Sequence, residues 1–178
     1  MTIGSRSNNI MSQRYIQELI ASYQIDLPSY VELYKYLHSH PELSNQEKET
    51  SETCATHLSR LGDFKIHTQI GGYGLAGVLR NGPGQTILIR GEMDALPVLE
   101  QTGLSYSSTV TTTDSSGTKQ PVMHACGHDS TSALIHDLVL RYTNSLGSAH
   151  DMFTSCGRSS GWSQRILEWN FDNTVPAS

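Results

Sequence analysis

Ile87, Leu88 and Ile89 form an unbroken apolar run that leads into Arg90-Gly91. A strand that is apolar on both faces needs a layer on each side of it, as in the centre of an α/β sheet. The segments before it supply candidates for those layers. Residues 64–70 (FKIHTQI) alternate apolar and polar side chains, and 74–80 (GLAGVLR) and 85–91 (QTILIRG) flank Asn-Gly-Pro-Gly, a strong turn signal. Upstream, Ile16, Leu19, Ile20 and Tyr23 fall at helical spacing, as do Val31, Leu33, Tyr34 and Leu37. Pro28 suits a first helical turn, and Pro41 predicts a stop, because the residue before a proline is pushed out of the α region.

Ser44-Asn45-Gln46-Glu47 reads as a capping box opening a helix that runs to about Leu61, with Gly62 as its C-cap. Cys54, Leu58 and Leu61 line one face of it, which makes Cys54 a core residue. A further helix is expected over 130–141. Two helices, then strands, then a helix predict an α/β fold with a mixed sheet. Residues 105–118 form a Ser/Thr-rich loop that no helical period fits. From about residue 144 periodicity fades, apart from Arg165–Trp169, so 144–178 is expected to be a poorly ordered tail and 1–27 an N-terminal extension with a helix.

The 178 residues carry a formal net charge of -5, and no block of Lys and Arg stands out. That argues against a nucleic-acid footprint and a basic membrane patch. The apolar runs are too short for a membrane span, and the first fifteen residues lack the apolar core of a secretory signal. The expectation is a cytoplasmic protein whose three cysteines, Cys54, Cys126 and Cys156, are reduced.

Chemistry concentrates in three places. In His124-Ala125-Cys126-Gly127-His128-Asp129, metal-capable side chains alternate. On extended backbone Cys126 and His128 would point the same way and could share one ion, a thiolate and an imidazole suiting zinc and its neighbours. Asp129 stands at the expected N-cap of the next helix. A plain helix-entry loop, or a structural zinc site with His124, is the alternative. In Arg90-Gly91-Glu92-Met93-Asp94, two carboxylates follow the apolar strand, and ligands of open α/β sheets sit beyond strand C-termini. Asp94 could orient a metal ligand or water. The plainer reading is that Glu92 or Asp94 is a surface carboxylate paired with Arg90. His38 and His40, before Pro41, can bind metal or simply meet the last carbonyls of their helix.

In order, LHSHPELSNQEKET (37–50), GGYGLAGVL (71–79), ILIRGEMDALPVLEQTGLSYSS (87–108) and PVMHACGHD (121–129) resemble the metal-dependent amidohydrolases of the metallopeptidase superfamily. That group includes hippurate hydrolase, N-acyl-amino-acid hydrolases and auxin-conjugate hydrolases. The resemblance covers roughly residues 28–140 and implies a partial zinc-peptidase-like catalytic domain over 28–143, without the family's dimerising lid domain. It implies Cys126 and His128 as ligands of a two-ion centre, Asp94 as the catalytic orienting group, and a mostly structural role for His38, His40 and Glu42. The ions would be manganese or zinc, with cobalt or nickel as alternatives, and this chain could hold none. The implied reaction is hydrolysis of the amide of a small N-acyl amino acid. The family's general base is the first Glu of a Glu-Glu pair after the HACGHD segment, and later His ligands follow it. After residue 143 the acidic residues here are Asp151, Glu168 and Asp172, and the one imidazole is His150. A truncated or wrongly joined reading frame is one expectation. The other is an inactive fragment that binds metal weakly or associates with a full-length relative.

Overall fold

The computed structural model describes residues 17–18, 27–79, 87–113, 116–135 and 152–156. Of the early helix expected near residue 16, Gln17 and Glu18 are described, and both are helical. The Asn-Gly-Pro-Gly turn, the late part of the helix expected over 130–141 and most of 144–178 lie outside the described residues.

Helix α1 spans Leu27–Ser39 and buries Tyr30, Leu33, Leu37 and His38. It stops two residues before Pro41, as the proline dictates. Helix α2 spans Lys48–Leu61 and buries Thr50, Ser51, Cys54 and Leu58. Its start differs from the capping box read in the sequence: Glu47 occupies the N-cap position without a side-chain cap hydrogen bond. Glu42 caps the helix instead. Its carboxylate accepts from the Glu49 and Thr50 amides at 3.1 and 2.8 Å and from the Thr50 hydroxyl at 2.8 Å. A turn with Asn45 at φ 67 folds the chain back far enough for Glu42, seven residues upstream of Glu49, to reach those amides.

Strands β1 (Lys65–Ile70) and β2 (Gly74–Leu79) pair antiparallel, with an irregularity between His67 and Ile70 where Gln69 takes φ 62. Strand β3 spans Ile87–Gly91. It is not the neighbour of β2. Strand β6 (Met152–Cys156), from the segment expected to be a tail, lies between them, so the sheet order is β1-β2-β6-β3. It runs antiparallel to β2 and parallel to β3, with Ala76↔Ser155 and Ile89↔Thr154 in register. The apolar run of β3 therefore stands at an edge among the described residues, and the central place predicted for it is taken by β6.

The sheet packs on α2 through a cluster of Cys54, Leu58, Leu75 and Met93, joined by Ala55, Leu61 and Ile66. A small hairpin, β4 (Thr111–Thr113) with β5 (Lys119–Pro121), has its first strand inside the Ser/Thr-rich stretch 105–118 expected to be loop throughout. Helix α3 begins at residue 128 and is described to residue 135. It lies so close to β3 that a Cβ on Gly91 would collide with Ile135 Cδ1. The absence of a side chain at Gly91 is what lets this helix approach the strand end.

Candidate metal centre

Past β3 the chain stays near the sheet. Met93 is buried in the α2 cluster, while Glu92 and Asp94, on either side of it in sequence, both reach His128. Backbone bonds hold this stretch from two directions. Leu96 and Met123 exchange amide-to-carbonyl bonds at 3.0 Å each, and the Ala95 amide donates to the Glu42 carbonyl at 2.7 Å. The Leu96–Met123 exchange delivers the segment carrying His128 to the segment carrying Asp94. The Ser132 hydroxyl, one turn along α3, fixes the helix by donating to the Glu92 carbonyl at 3.0 Å.

The cluster so formed is Glu92, Asp94 and His128, whose potential ligand atoms all lie within 4.8 Å of one another. His128 Nδ1 is 2.8 Å from the Asp94 main-chain carbonyl, which can only accept, so this nitrogen carries the proton. Asp94 Oδ1 lies 3.0 Å from the same nitrogen but receives no hydrogen bond. His128 Nε2 faces Glu92 Oε2 at 3.2 Å. Glu92 divides its oxygens, since Oε1 accepts from Arg90 Nη2 at 2.8 Å.

This donor set fits a divalent cation. Two carboxylates and an imidazole suit manganese, zinc and their neighbours. A backbone carbonyl fixing the far ring nitrogen is the usual support of a metal-binding histidine. An Asp94 oxygen that is buried without a hydrogen bond is an acceptor whose burial a cation would offset.

Of the residues read as site residues, Asp94 and His128 come together. Cys126 does not join them within that radius; it is exposed. The physical reason is the backbone. Gly127 takes φ 74, and α3 begins at residue 128, so 126–128 turns instead of running extended. The alternation argument that aimed Cys126 and His128 the same way therefore does not apply here. Asp129 is likewise not the N-cap but lies in the first turn, where the Gly127 carbonyl accepts from the Thr131 amide at 3.0 Å. Glu92 is the residue that sequence reasoning passed over. Its bond to Arg90 was expected and exists, yet its second oxygen faces His128. The signal available was its spacing of two from Asp94 past a strand end.

His124 is buried, and neither ring nitrogen has a hydrogen-bond partner. Burial pushes its pKa down to about 4, with His38 and His128 adding to that and the carboxylates of Asp129 and Asp94 opposing it. Glu47 is also buried, and burial raises its pKa, helped by Asp94 and Glu42. His40 keeps to the plain reading: it stacks on Tyr36 and its Nδ1 lies 2.8 Å from the Tyr36 carbonyl.

The mixed α/β layer bearing a carboxylate–imidazole cluster beyond a strand end is similar in fold to a known metal-binding peptidase. No protein-family model matches the chain. The hippurate hydrolase of Campylobacter jejuni is 34% identical over 135 residues, 74% of this chain and 33% of its own. The N-acyl-L-amino acid amidohydrolase of Geobacillus stearothermophilus is 31% identical over 126 residues, 70% of this chain and 30% of its own. Among solved structures, the YXEP protein of Bacillus subtilis, described as a dinuclear metal-binding peptidase of the M20 family, superposes with a TM-score of 0.67 at 26% identity, over 83% of this chain and 40% of that one. Over the stretch they share, this chain is similar to amidohydrolases and to a dinuclear metal-binding peptidase. It spans about a third of the length of these curated relatives. No helix among the described residues is long and apolar enough to cross a membrane.

Proposed function

We propose that this chain carries the metal-holding part of an amidohydrolase site, serving hydrolysis of the amide bond of small N-acyl amino acids. The observation that carries the proposal is the convergence of Asp94, Glu92 and His128 beyond β3. His128 Nε2, an Asp94 oxygen and Glu92 Oε2 would hold a divalent ion, manganese or zinc before cobalt or nickel. Cys126, exposed two residues before His128, adds a thiolate when the ion is bound. Such an ion supplies Lewis acidity toward an amide carbonyl and lowers the pKa of water. The residues here do the holding and orienting: the Asp94 carbonyl fixes the His128 tautomer, and Arg90 restrains Glu92.

Proton transfer to the leaving amine needs a carboxylate base, and a Glu-Glu pair does not occur after residue 143. That observation favours a second reading, in which the chain binds metal without turnover or works beside a full-length relative. One experiment separates the two. The purified chain is loaded in turn with manganese, zinc, cobalt and nickel and given a panel of N-acyl amino acids, and amine release is followed. Release that chelation stops supports hydrolysis. Metal uptake without release supports the second reading, and absence of metal uptake, of release and of co-purification with a full-length relative removes the two together.

A further inference from the structure

His38 is buried in α1, away from the cluster, and the proposed chemistry makes no use of it. Its Nδ1 is 2.6 Å from Asp129 Oδ2, and its Nε2 is 3.1 Å from Glu100 Oε1. The three side chains are 6%, 2% and 0% exposed, so the arrangement is closed to solvent. Ionised carboxylates only accept, and each faces a different ring nitrogen, so both nitrogens donate and the ring is an imidazolium. Each carboxylate also binds its own segment. Asp129 Oδ1 accepts from the Ser130 amide at 2.8 Å in the first turn of α3. Glu100 Oε2 accepts from the Ser108 amide at 2.6 Å, and its Oε1 accepts from the Thr102 hydroxyl. The rings of Tyr34 and Tyr106 pack on the imidazole, with centroids 5.6 and 5.5 Å away.

The two carboxylates belong to the two ligand-bearing segments. Asp129 follows His128 directly, and Glu100 ends the stretch that carries Glu92 and Asp94. We propose that His38 is a positioning residue for the metal centre: its imidazolium clamps Asp129 to Glu100 and so holds His128 against the Asp94 segment. This rests on the metal-holding reading above. The Leu96–Met123 exchange joins the two segments two residues past Asp94, and the Ser132–Glu92 bond joins them one turn further along α3. His38 restrains the first helical turn itself, where the ring of His128 is set.

The test uses the full chain with His38→Gln, which donates to one carboxylate only, and Asp129→Asn. Cobalt affinity is measured at a temperature where circular dichroism shows each variant folded. The ring nitrogens of His128 are observed by NMR in the metal-free protein. The expected result is a loss of roughly 10–100-fold in cobalt affinity in both variants, the range typical of groups that orient a ligand. The same variants should show a His128 ring that no longer holds the single Nδ1–H tautomer, and the double variant should be no worse than either single one. Unchanged cobalt affinity and an unchanged tautomer in folded His38→Gln would overturn the proposal. Should wild-type protein bind no cobalt, the metal-holding reading falls, and the tautomer alone decides: loss of the Nδ1–H form in His38→Gln supports the clamp, and its persistence overturns it.

Discussion

His128 donates its Nδ1 proton to the main-chain carbonyl of Asp94 at 2.8 Å, which leaves Nε2 turned toward Glu92 Oε2 at 3.2 Å. A main-chain acceptor cannot be titrated away, so the tautomer is fixed by the fold. The first prediction follows from it. Zinc or manganese at a hundred times its dissociation constant should add about 2.7 kcal/mol to wild-type stability. For a chain of this size that is a rise of about 5–10 °C in Tm. His128→Ala and Asp94→Ala should abolish the shift, and Glu92→Gln should reduce it. Differential scanning calorimetry with and without metal checks this, and an intact shift in His128→Ala would contradict it.

Cys126 is exposed on the turn before α3, outside the carboxylate–imidazole group. If its thiolate joins a bound ion, cobalt-loaded protein shows a sulfur-to-cobalt charge-transfer band. Cys126→Ser should remove that band and weaken cobalt binding while leaving the metal-free melting curve in place. A cobalt spectrum identical in the two proteins would take Cys126 out of the site.

Gly91 is predicted to accept no side chain while Ile135 is present. Gly91→Ala drives a methyl into Ile135 Cδ1 and should cost about 1–3 kcal/mol, the usual range for overpacking. Ile135→Val removes the clashing methyl, so the pair Gly91→Ala with Ile135→Val should be less destabilised than the two single changes summed. Urea unfolding of the four proteins measures the coupling.

Glu42 does what the capping box was expected to do. Glu42→Ala should destabilise the fold by roughly 0.5–2 kcal/mol, the usual cost of losing a helix cap. Glu42→Gln, which keeps an acceptor oxygen, should recover part of it. Equal losses in both would mean that charge, not hydrogen bonding, carries the effect.

The buried histidines set opposite pH dependences. Burial opposes charging of His38, but the carboxylates of Asp129 and Glu100 outweigh it and raise its pKa above 6.5. Its contribution is full below about pH 6.5 and is lost as pH rises through the higher folded value. Burial lowers the pKa of His124 to about 4, so its contribution is present above pH 6.5 and is lost on descent toward pH 4. Stability measured against pH should fall on the alkaline side because of His38, and His38→Gln should flatten that limb alone. An alkaline limb that survives in the variant would assign it to other groups.

Core and site were legible to different depths. Cys54 and Leu58 were readable as core because a helical face repeats locally, and both are fully buried. Asp94 and His128 were readable by residue type and motif. The pairing of His128 with Glu92 was not, because it depends on the exchange between Leu96 and Met123, and no local spacing encodes it. The extended run expected from Cys126 to His128 is absent because a glycine at positive φ turns the segment. The place of β6 was also out of reach. Met-Phe-Thr-Ser-Cys lacks the strong apolar pattern of Ile87–Ile89, yet the sheet order puts it between β2 and β3.

That order has a consequence for synthesis of the chain. When residue 91 leaves the ribosome, β2 and β3 exist in sequence, but the strand that joins them has not been translated. Until Met152–Cys156 emerges, each presents an open row of amides and carbonyls on its facing edge, the kind of surface that recruits other chains. A nascent chain stalled before residue 152 should therefore be held by chaperones or aggregate, whereas one released after residue 156 can close its sheet.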